Sequence, residues 1–544
     1  MILCLSLSLR GIIRFLALAI YGGLTILGIL ISLDILLDFT ALISIPLVIA
    51  LLIYNKMSSK MILQNIYTNL AVNYLAIIGI AVGIVGLSIS LAPLFSISNI
   101  ALPTPNYEYE IFSLVSSFSP ILLLLLILCF PVKLLINEFK IGILNIKNNN
   151  RFDSLFFNDH LKSRTKIIYI LLFMLLSITI TLIPTQPPFN KDNQQVGVDS
   201  DHYVDWINRL IQSNDIQEFI RQAFVIQSAG DRPLTLIFLF TIAKIVNANA
   251  NLFYTDLFYI IEHVSLILGP ALVLVIYLLT RELTSNDITS LLASFLTAIS
   301  FQTLIGIYAG FYANWLALII GYLSFVFLVR FLKKPSKLNL ISYSILILLL
   351  LLSHVYAWTV LTTVMVIYLV VLLKFNYYHR KSIILLLLVI LSSVVIDIGR
   401  MTITGSASGI VNDIYIARGG VGLEQFTERW SNLIDVTQIH LGGQFSNFLI
   451  LVLGLYCLIH SNFRQPSSIL MVIFLSLGVM PLFFGDWITQ SRVFYVIPFQ
   501  IPAAITLTYL KKQANCNIIL LPICIWLIAV SIRAVTNFYL VSRL

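Results

Sequence analysis

Two apolar runs, 166–184 (KIIYILLFMLLSITITLIP) and 338–353 (LNLISYSILILLLLLS), constrain this chain more than any motif in it. They approach or reach the ~20 residues that carry a helix across a ~30 Å hydrocarbon core. Backbone in hydrocarbon finds no water to bond, so only a helix or a closed barrel crosses it, and these runs lack the alternation of a barrel strand. The expected fold class is therefore an all-α polytopic membrane protein. Composition agrees: 59% of the 544 residues are apolar and only 10% charged, against roughly a quarter charged in soluble domains.

Apolar length and turn residues divide the chain into about fifteen expected crossings. They fall near 11–33, 39–54, 69–97, 117–136, 166–184, 256–280, 287–303, 314–332, 338–353, 356–374, 382–398, 444–461, 468–484, 493–510 and 518–536. The stretch 11–33 is longer than a signal-peptide core and is read as a retained first span. The formal charge of +9 resides in short clusters between spans (Lys56/Lys60, Lys140 to Lys166, Arg330 to Lys337, Arg380/Lys381, Lys511/Lys512). All land on one side of the threading, so the positive-inside rule accounts for them and nucleic acid is not an expected partner. The N-terminus is then cytoplasmic and the C-terminus outside, with a prokaryotic plasma membrane as the expected location. Cys4, Cys129, Cys457, Cys516 and Cys524 fall in spans or cytoplasmic loops, so no disulfide is expected in the outer loops.

This threading leaves two long polar outer loops, 185–255 and 399–443. In the first, YVDWINRLIQ (203–212) and IQEFIRQAF (216–224) repeat apolar residues at helical spacing, which predicts short interfacial helices. PLTLIFLFTIAKIV (233–246) is too short to span comfortably and reads as a re-entrant or interfacial helix. The second loop holds Asp413, Arg418, Glu424, Glu428, Arg429, Trp430, Asp435 and His440 among several glycines, a composition suited to a mobile polar lid.

The stretch VGVDSDHYVDW (196–206) is the richest in chemistry, with Asp199, Asp201, Asp205 and His202 directly after an outward-going span. Carboxylates two apart in an extended loop can converge on a cation, and one near the membrane surface can act as general base. A solvated acidic loop is the plainer alternative for an isolated D-x-D. Glu262 and His263 lie inside an expected span, where ionisable groups are costly and mark functional candidates. His354 ends a span beside Tyr356 and Trp358, rings that an interfacial aromatic belt also explains.

The order of these features resembles the GT-C membrane glycosyltransferases, which include protein mannosyltransferases, aminoarabinose transferases and oligosaccharyltransferase catalytic subunits. The resemblance rests on the acidic opening of the first outer loop, on R-P-L (232–234) leading a helix, and on YLLTREL (277–283). It extends to YAGFYANWLALIIGYLSFVFL (308–328), SHVYAW (353–358) and GDWITQSRVFYVIPFQIPAAI (485–505), the last similar to the family's late R-x-x-x-x-x-P segment. It covers 166–544 as a catalytic transmembrane domain and leaves 1–165 as a four-span module of undisclosed role. What it implies is a GT-C-like bundle that transfers a sugar from a polyprenyl-phosphate-linked donor to a protein, lipid or glycan acceptor. Asp199 or Asp201 would be the base or a ligand for a divalent metal, Mg or Mn; the D-x-D spacing is closer to the oligosaccharyltransferase arrangement than to the adjacent pair of the mannosyltransferases. Arg492 would bind the lipid phosphate, with Arg232 as a second phosphate or structural residue. His202, Glu262 and His354 complete the substrate-binding candidates, and Asp486 either joins the acidic site or pairs with Arg492. Two rival readings remain: a transporter or lipid flippase with Glu262, His263 and Arg492 lining a pathway, and a non-catalytic scaffold.

Overall fold

The computed structural model describes residues 161–186, 190, 195–226, 231–246 and 254–404. Further along it describes 428–429, 431–433, 436, 440, 450, 453–454, 457, 465–478, 487–514, 524, 527–528, 531 and 535. The expected spans at 11–33, 39–54, 69–97 and 117–136 lie outside the described residues, as do Asp413, Arg418, Glu424, Trp430, Asp435 and Asp486.

Every regular element among the described residues is a helix. In chain order these are α1 (Ser163–Leu182), α2 (Ser200–Ile211), α3 (Ile216–Phe224), α4 (Pro233–Val246), α5 (Tyr254–His263), α6 (Ser265–Thr284), α7 (Asp287–Ala298) and α8 (Phe301–Tyr308). They continue with α9 (Tyr312–Lys333), α10 (Lys337–Ser353), α11 (Val355–Phe375), α12 (Arg380–Thr404), α13 (Pro466–Ser476), α14 (Trp487–Tyr495) and α15 (Gln500–Ala514). Among the described residues, 6 helical stretches are long and apolar enough to cross a membrane, and the chain is an integral membrane protein. Helix α4 is one of the shorter apolar helices, as its sequence predicts.

The α7–α8 stretch is buried except at half-buried Ile288 and forms the axis around which α1, α6, α9 and α15 pack. Helix α9 also packs on α10 and α11, and α10 to α12 form an adjoining layer. At the periphery, Ile167, Leu171 and Leu175 on α1 and Leu388, Leu391 and Val395 on α12 remain exposed, a lipid-compatible surface on helices apolar on all faces.

Two of the expected spans are each built from two helical segments. The predicted 256–280 helix is interrupted at Val264, where the Ser265 hydroxyl donates to the Glu262 carbonyl at 2.8 Å. In the predicted 287–303 span, which runs over Asp287–Tyr308, the helix is interrupted at Ile299, and Ser300 caps its second half by accepting from the Thr303 amide. A serine that serves the backbone in a non-helical conformation competes with helix continuation, and hydropathy averaged over a span does not register this.

The helices alternate direction, so their basic ends gather opposite the α2–α4 layer. There buried Asp287 accepts from the Leu161 amide at 3.1 Å and pairs with Lys166 Nζ at 3.1 Å and Arg281 Nε at 3.4 Å. Arg330 Nε meets Glu282 Oε1 at 2.7 Å, and Lys333 Nζ donates to the Glu282 carbonyl.

A polar knot fixes α14 to the axis. Gln302 Nε2 donates to the Tyr322 hydroxyl at 2.9 Å and the Tyr495 carbonyl at 2.7 Å, while Gln302 Oε1 accepts from Gln500 Nε2 at 2.8 Å. The Tyr495 hydroxyl returns a bond to the Gln302 carbonyl at 2.8 Å, and Tyr322 donates to the Val496 carbonyl at 2.7 Å. Gln302→Leu leaves these buried groups unpaired at about 1–3 kcal/mol each before relaxation. We expect a net loss of about 2 kcal/mol or more, read as a lowered midpoint in denaturing-detergent titration.

Candidate functional site

The segment before α2 is held by its backbone. The Val198 amide donates to the Tyr308 carbonyl at 2.9 Å and the Asp199 amide to the Ala309 carbonyl at 3.0 Å, so the end of α8 presents its unpaired carbonyls to the loop. From the other side, Glu262 Oε1 accepts from the Val196 amide at 2.7 Å and the Gly197 amide at 3.3 Å. Two glycines permit the approach. A Cβ on Gly197 would sit 2.5 Å from Ser200 Oγ and 3.0 Å from Gly310 Cα, and one on Gly310 would sit 3.1 Å from the Asp199 nitrogen. Gly310 also has φ +66°, the left-handed region that glycine enters without penalty. The Ser200 and Tyr312 hydroxyls close the joint at 3.1 Å.

The expected extended D-x-D loop is therefore corrected. Asp199 is the N-cap of α2 and Ser200 its first residue. Successive residues of a helix turn by about 100°, so the Asp199 and Asp201 side chains diverge instead of converging. The Asp199 carboxylate makes no capping bond to its helix and is thus spared for another partner. Asp201 and Asp205 are exposed on α2, as is His202, whose ring stacks on Trp206 at 5.9 Å.

Arg232 and Arg492, from distant parts of the chain, both act electrostatically on Asp199. Arg232 Nη1 donates to the Tyr203 hydroxyl at 3.2 Å, and its guanidinium lies 5.1 Å from the Trp206 ring centre. The Tyr203 hydroxyl also accepts from the Ala313 amide at 3.2 Å, tying α2 to α9. The Arg492 guanidinium lies 5.0 Å from the Tyr356 ring centre. Both guanidiniums act electrostatically on Asp199, yet burial outweighs them and holds its carboxyl above the ordinary carboxylate range. The Nε of each arginine is buried without a hydrogen-bond partner among the described residues.

The 231–235 segment is stapled to the α10–α11 junction. The Val355 amide donates to the Asp231 carbonyl at 3.2 Å, and the Thr235 hydroxyl to the Ser353 carbonyl at 2.9 Å. His354 sits between these bonds and caps α11. Trp358 is fully buried and donates to Ser393 Oγ at 3.2 Å, so the belt reading does not hold for that ring. It needs a buried acceptor for its N–H and finds one on α12.

Sequence reading missed a second charged cluster. Arg400 Nη1 lies 3.6 Å from Asp231 Oδ1, and Arg400 Nη2 lies 3.0 Å from Asp397 Oδ1. Burial raises the Asp231 carboxyl above its ordinary range against the opposing pull of Arg400 and Arg232. The signal was present, since Asp397 interrupts the apolar run 382–398. Behind Arg492, His440 Nδ1–H donates to the Val436 carbonyl at 2.8 Å, and its Nε2 faces Ser491 Oγ at 3.4 Å. Burial lowers His440 to about 4, so the ring is neutral and its Nε2 accepts the hydroxyl.

The structure thus brings Asp199, Arg232, His354 and Arg492 together, with His202 on the outer side and Glu262 bonded to the loop backbone. Among the described residues no group of three His, Cys, Asp or Glu side chains assembles, and the guanidiniums of Arg232 and Arg492 act electrostatically on Asp199.

No family model matches the sequence, and no curated protein matches it. Among solved structures, the chain is similar to the apo oligosaccharyltransferase of Archaeoglobus fulgidus, at 14% identity and TM-score 0.48, over 70% of this chain and 56% of that one. It is also similar to the same protein's complex with Zn and sulfate, at 14% identity and TM-score 0.45, over 69% of this chain and 53% of that one. A third is the archaeal oligosaccharyltransferase AglB from Archaeoglobus fulgidus with an inhibitory peptide and a dolichol-phosphate, at 13% identity and TM-score 0.46, over 69% of this chain and 56% of that one. The chain spans little more than half the length of these structures.

Gly310→Ala places a Cβ in the left-handed region and against the Asp199 amide, at a cost of about 1–2 kcal/mol. Gly399→Ala meets nothing within 4 Å and is the helical control, neutral or stabilising by about 0.5–1 kcal/mol. Denaturing-detergent titration of the pair reads the difference.

Proposed function

We propose that the chain is a membrane glycosyltransferase that moves a sugar from a polyprenyl-phosphate-linked donor to an acceptor hydroxyl or amide. The observation that carries this reading is the meeting of Arg232 and Arg492, each with a buried unpartnered Nε, beside the Asp199 carboxyl. Two half-buried guanidiniums that bond no carboxylate among the described residues suit a phosphate, whose oxygens accept several N–H donors at once. A carboxyl held above its ordinary range by burial is suited to take a proton.

In the reaction, the acceptor atom attacks the anomeric carbon as the bond from that carbon to the phosphate oxygen breaks. The electron pair departs with the phosphate, where Arg232 and Arg492 neutralise the growing charge. Asp199 receives the acceptor's proton. The Glu262 and α8 bonds fix the loop so that this charge is met by groups already in place. The prenyl tail remains in lipid, for which the exposed apolar faces of the bundle are suited. By the positive-inside rule the site end faces outward and the basic ends face the cytoplasm. Residues 166–544 form the catalytic unit in this reading, and 1–165 an appended membrane module.

Asp199→Asn lowers transfer by about 10²–10⁴-fold through loss of the base. Arg492→Lys, a compact ammonium in place of a planar fork, lowers it by about tenfold or more. Asp201→Asn, on the exposed first turn of α2, changes it far less. Lipid-reconstituted protein with a panel of polyprenyl-phosphate sugars measures all three, and transfer undiminished in Asp199→Asn overturns the assignment. The base must be deprotonated to act, so wild-type rate falls as pH drops through the raised carboxyl value of Asp199. The acidic limb of the pH–rate profile is expected above the ordinary carboxylate range.

A further inference from the structure

We propose that His354 is a third donor to the same phosphate, a neutral imidazole whose tautomer is fixed by the helix it begins. This rests on the phosphate reading of Arg232 and Arg492. His354 Nδ1 accepts the Ala357 amide at 3.3 Å as the N-cap of α11. A ring nitrogen that accepts an N–H bears no proton, so the proton of the neutral ring resides on Nε2. His354 is 2% exposed, and its Nε2 is buried with no partner among the described residues.

The surroundings specify which partner is missing. Arg232 and Arg492 are the charged groups that act on His354, and its ring centre lies 6.2 Å from that of Tyr356, the ring that Arg492 covers. The Val355 amide and the Ser353 carbonyl, on either side of His354, are both bonded to the segment that carries Arg232. Three buried donors, Arg232 Nε, His354 Nε2 and Arg492 Nε, therefore share one charged neighbourhood without acceptors among the described residues. A third cation would add repulsion to the two guanidiniums. A neutral N–H adds a hydrogen bond to the anion without that cost, and a backbone-held tautomer needs no reorganisation when the ligand arrives.

His354→Ser separates the ring's two bonds, because a serine hydroxyl also accepts the amide at a helix N-cap while the Nε2 donor is lost. The readout is the ratio of farnesyl phosphate to farnesol affinity of the purified full-length protein in detergent. Damage to an apolar groove weakens both ligands, whereas a lost donor weakens only the phosphate. The ratio is expected to fall about tenfold in His354→Ser and at least as far in Arg492→Ala. A ratio lowered in Arg492→Ala but unchanged in His354→Ser overturns the role of His354 and leaves the phosphate reading standing. A ratio unmoved by both variants, or no preference for the phosphate in wild type, overturns both. Should His354→Ser not fold, His354→Thr also caps the helix without an N–H donor and carries the same comparison.

Discussion

The two backbone bonds from Val198 and Asp199 to the carbonyls of Tyr308 and Ala309 hold the rest of the site in place. A helix that ends inside a bundle has carbonyls to satisfy, and a loop that enters a low-dielectric region has amides to satisfy. Each answers the other here. The bonds require two backbones to touch, which Gly197 and Gly310 allow, and they set where α2 begins. The start of α2 in turn sets Asp199 and the Tyr203 hydroxyl that holds Arg232.

Glu262 illustrates how an intramembrane charge can serve architecture. Among the described residues no cation pairs with its carboxylate, and two loop amides bond one of its oxygens. An anion that accepts backbone N–H groups is strongly bonded while remaining buried. The break at Val264 completes the arrangement, because the Glu262 carbonyl is taken by Ser265. Arg492 depends on a comparable but uncharged device, the Gln302 knot that ties both ends of the α14–α15 junction to α8 and α9.

Charge is distributed unevenly along the bundle. At one end Asp287, Lys166, Arg281, Glu282 and Arg330 pair off among themselves. At the other end, Arg400 is shared between Asp231 and Asp397, while Arg232 and Arg492 rest on aromatic faces. An arginine stacked on a ring stays desolvated without surrendering all its donors to a carboxylate. This asymmetry separates an end whose charges pair with one another from an end where two guanidiniums rest on rings.

The sequence by itself determined the helical membrane class, most described spans, the short apolar α4, and the residue types from which a site is drawn. These follow from local quantities: the length of an apolar run, the period of its polar positions, the cost of a charge in hydrocarbon. Asp199, Arg232, His354 and Arg492 were among the sequence's candidates beside Asp201, His202 and Glu262, the arginines through the resemblance to a family and not through a local quantity. Only the tertiary structure decided that they meet, that Ser200 begins a helix so Asp199 and Asp201 diverge, and that Trp358 turns inward to Ser393. It alone joined Asp231, Arg400 and Asp397, although Asp397 was visible as an interruption. The physical reason is that apolar burial is non-directional and legible along the chain, whereas hydrogen bonds are directional and join residues far apart in sequence.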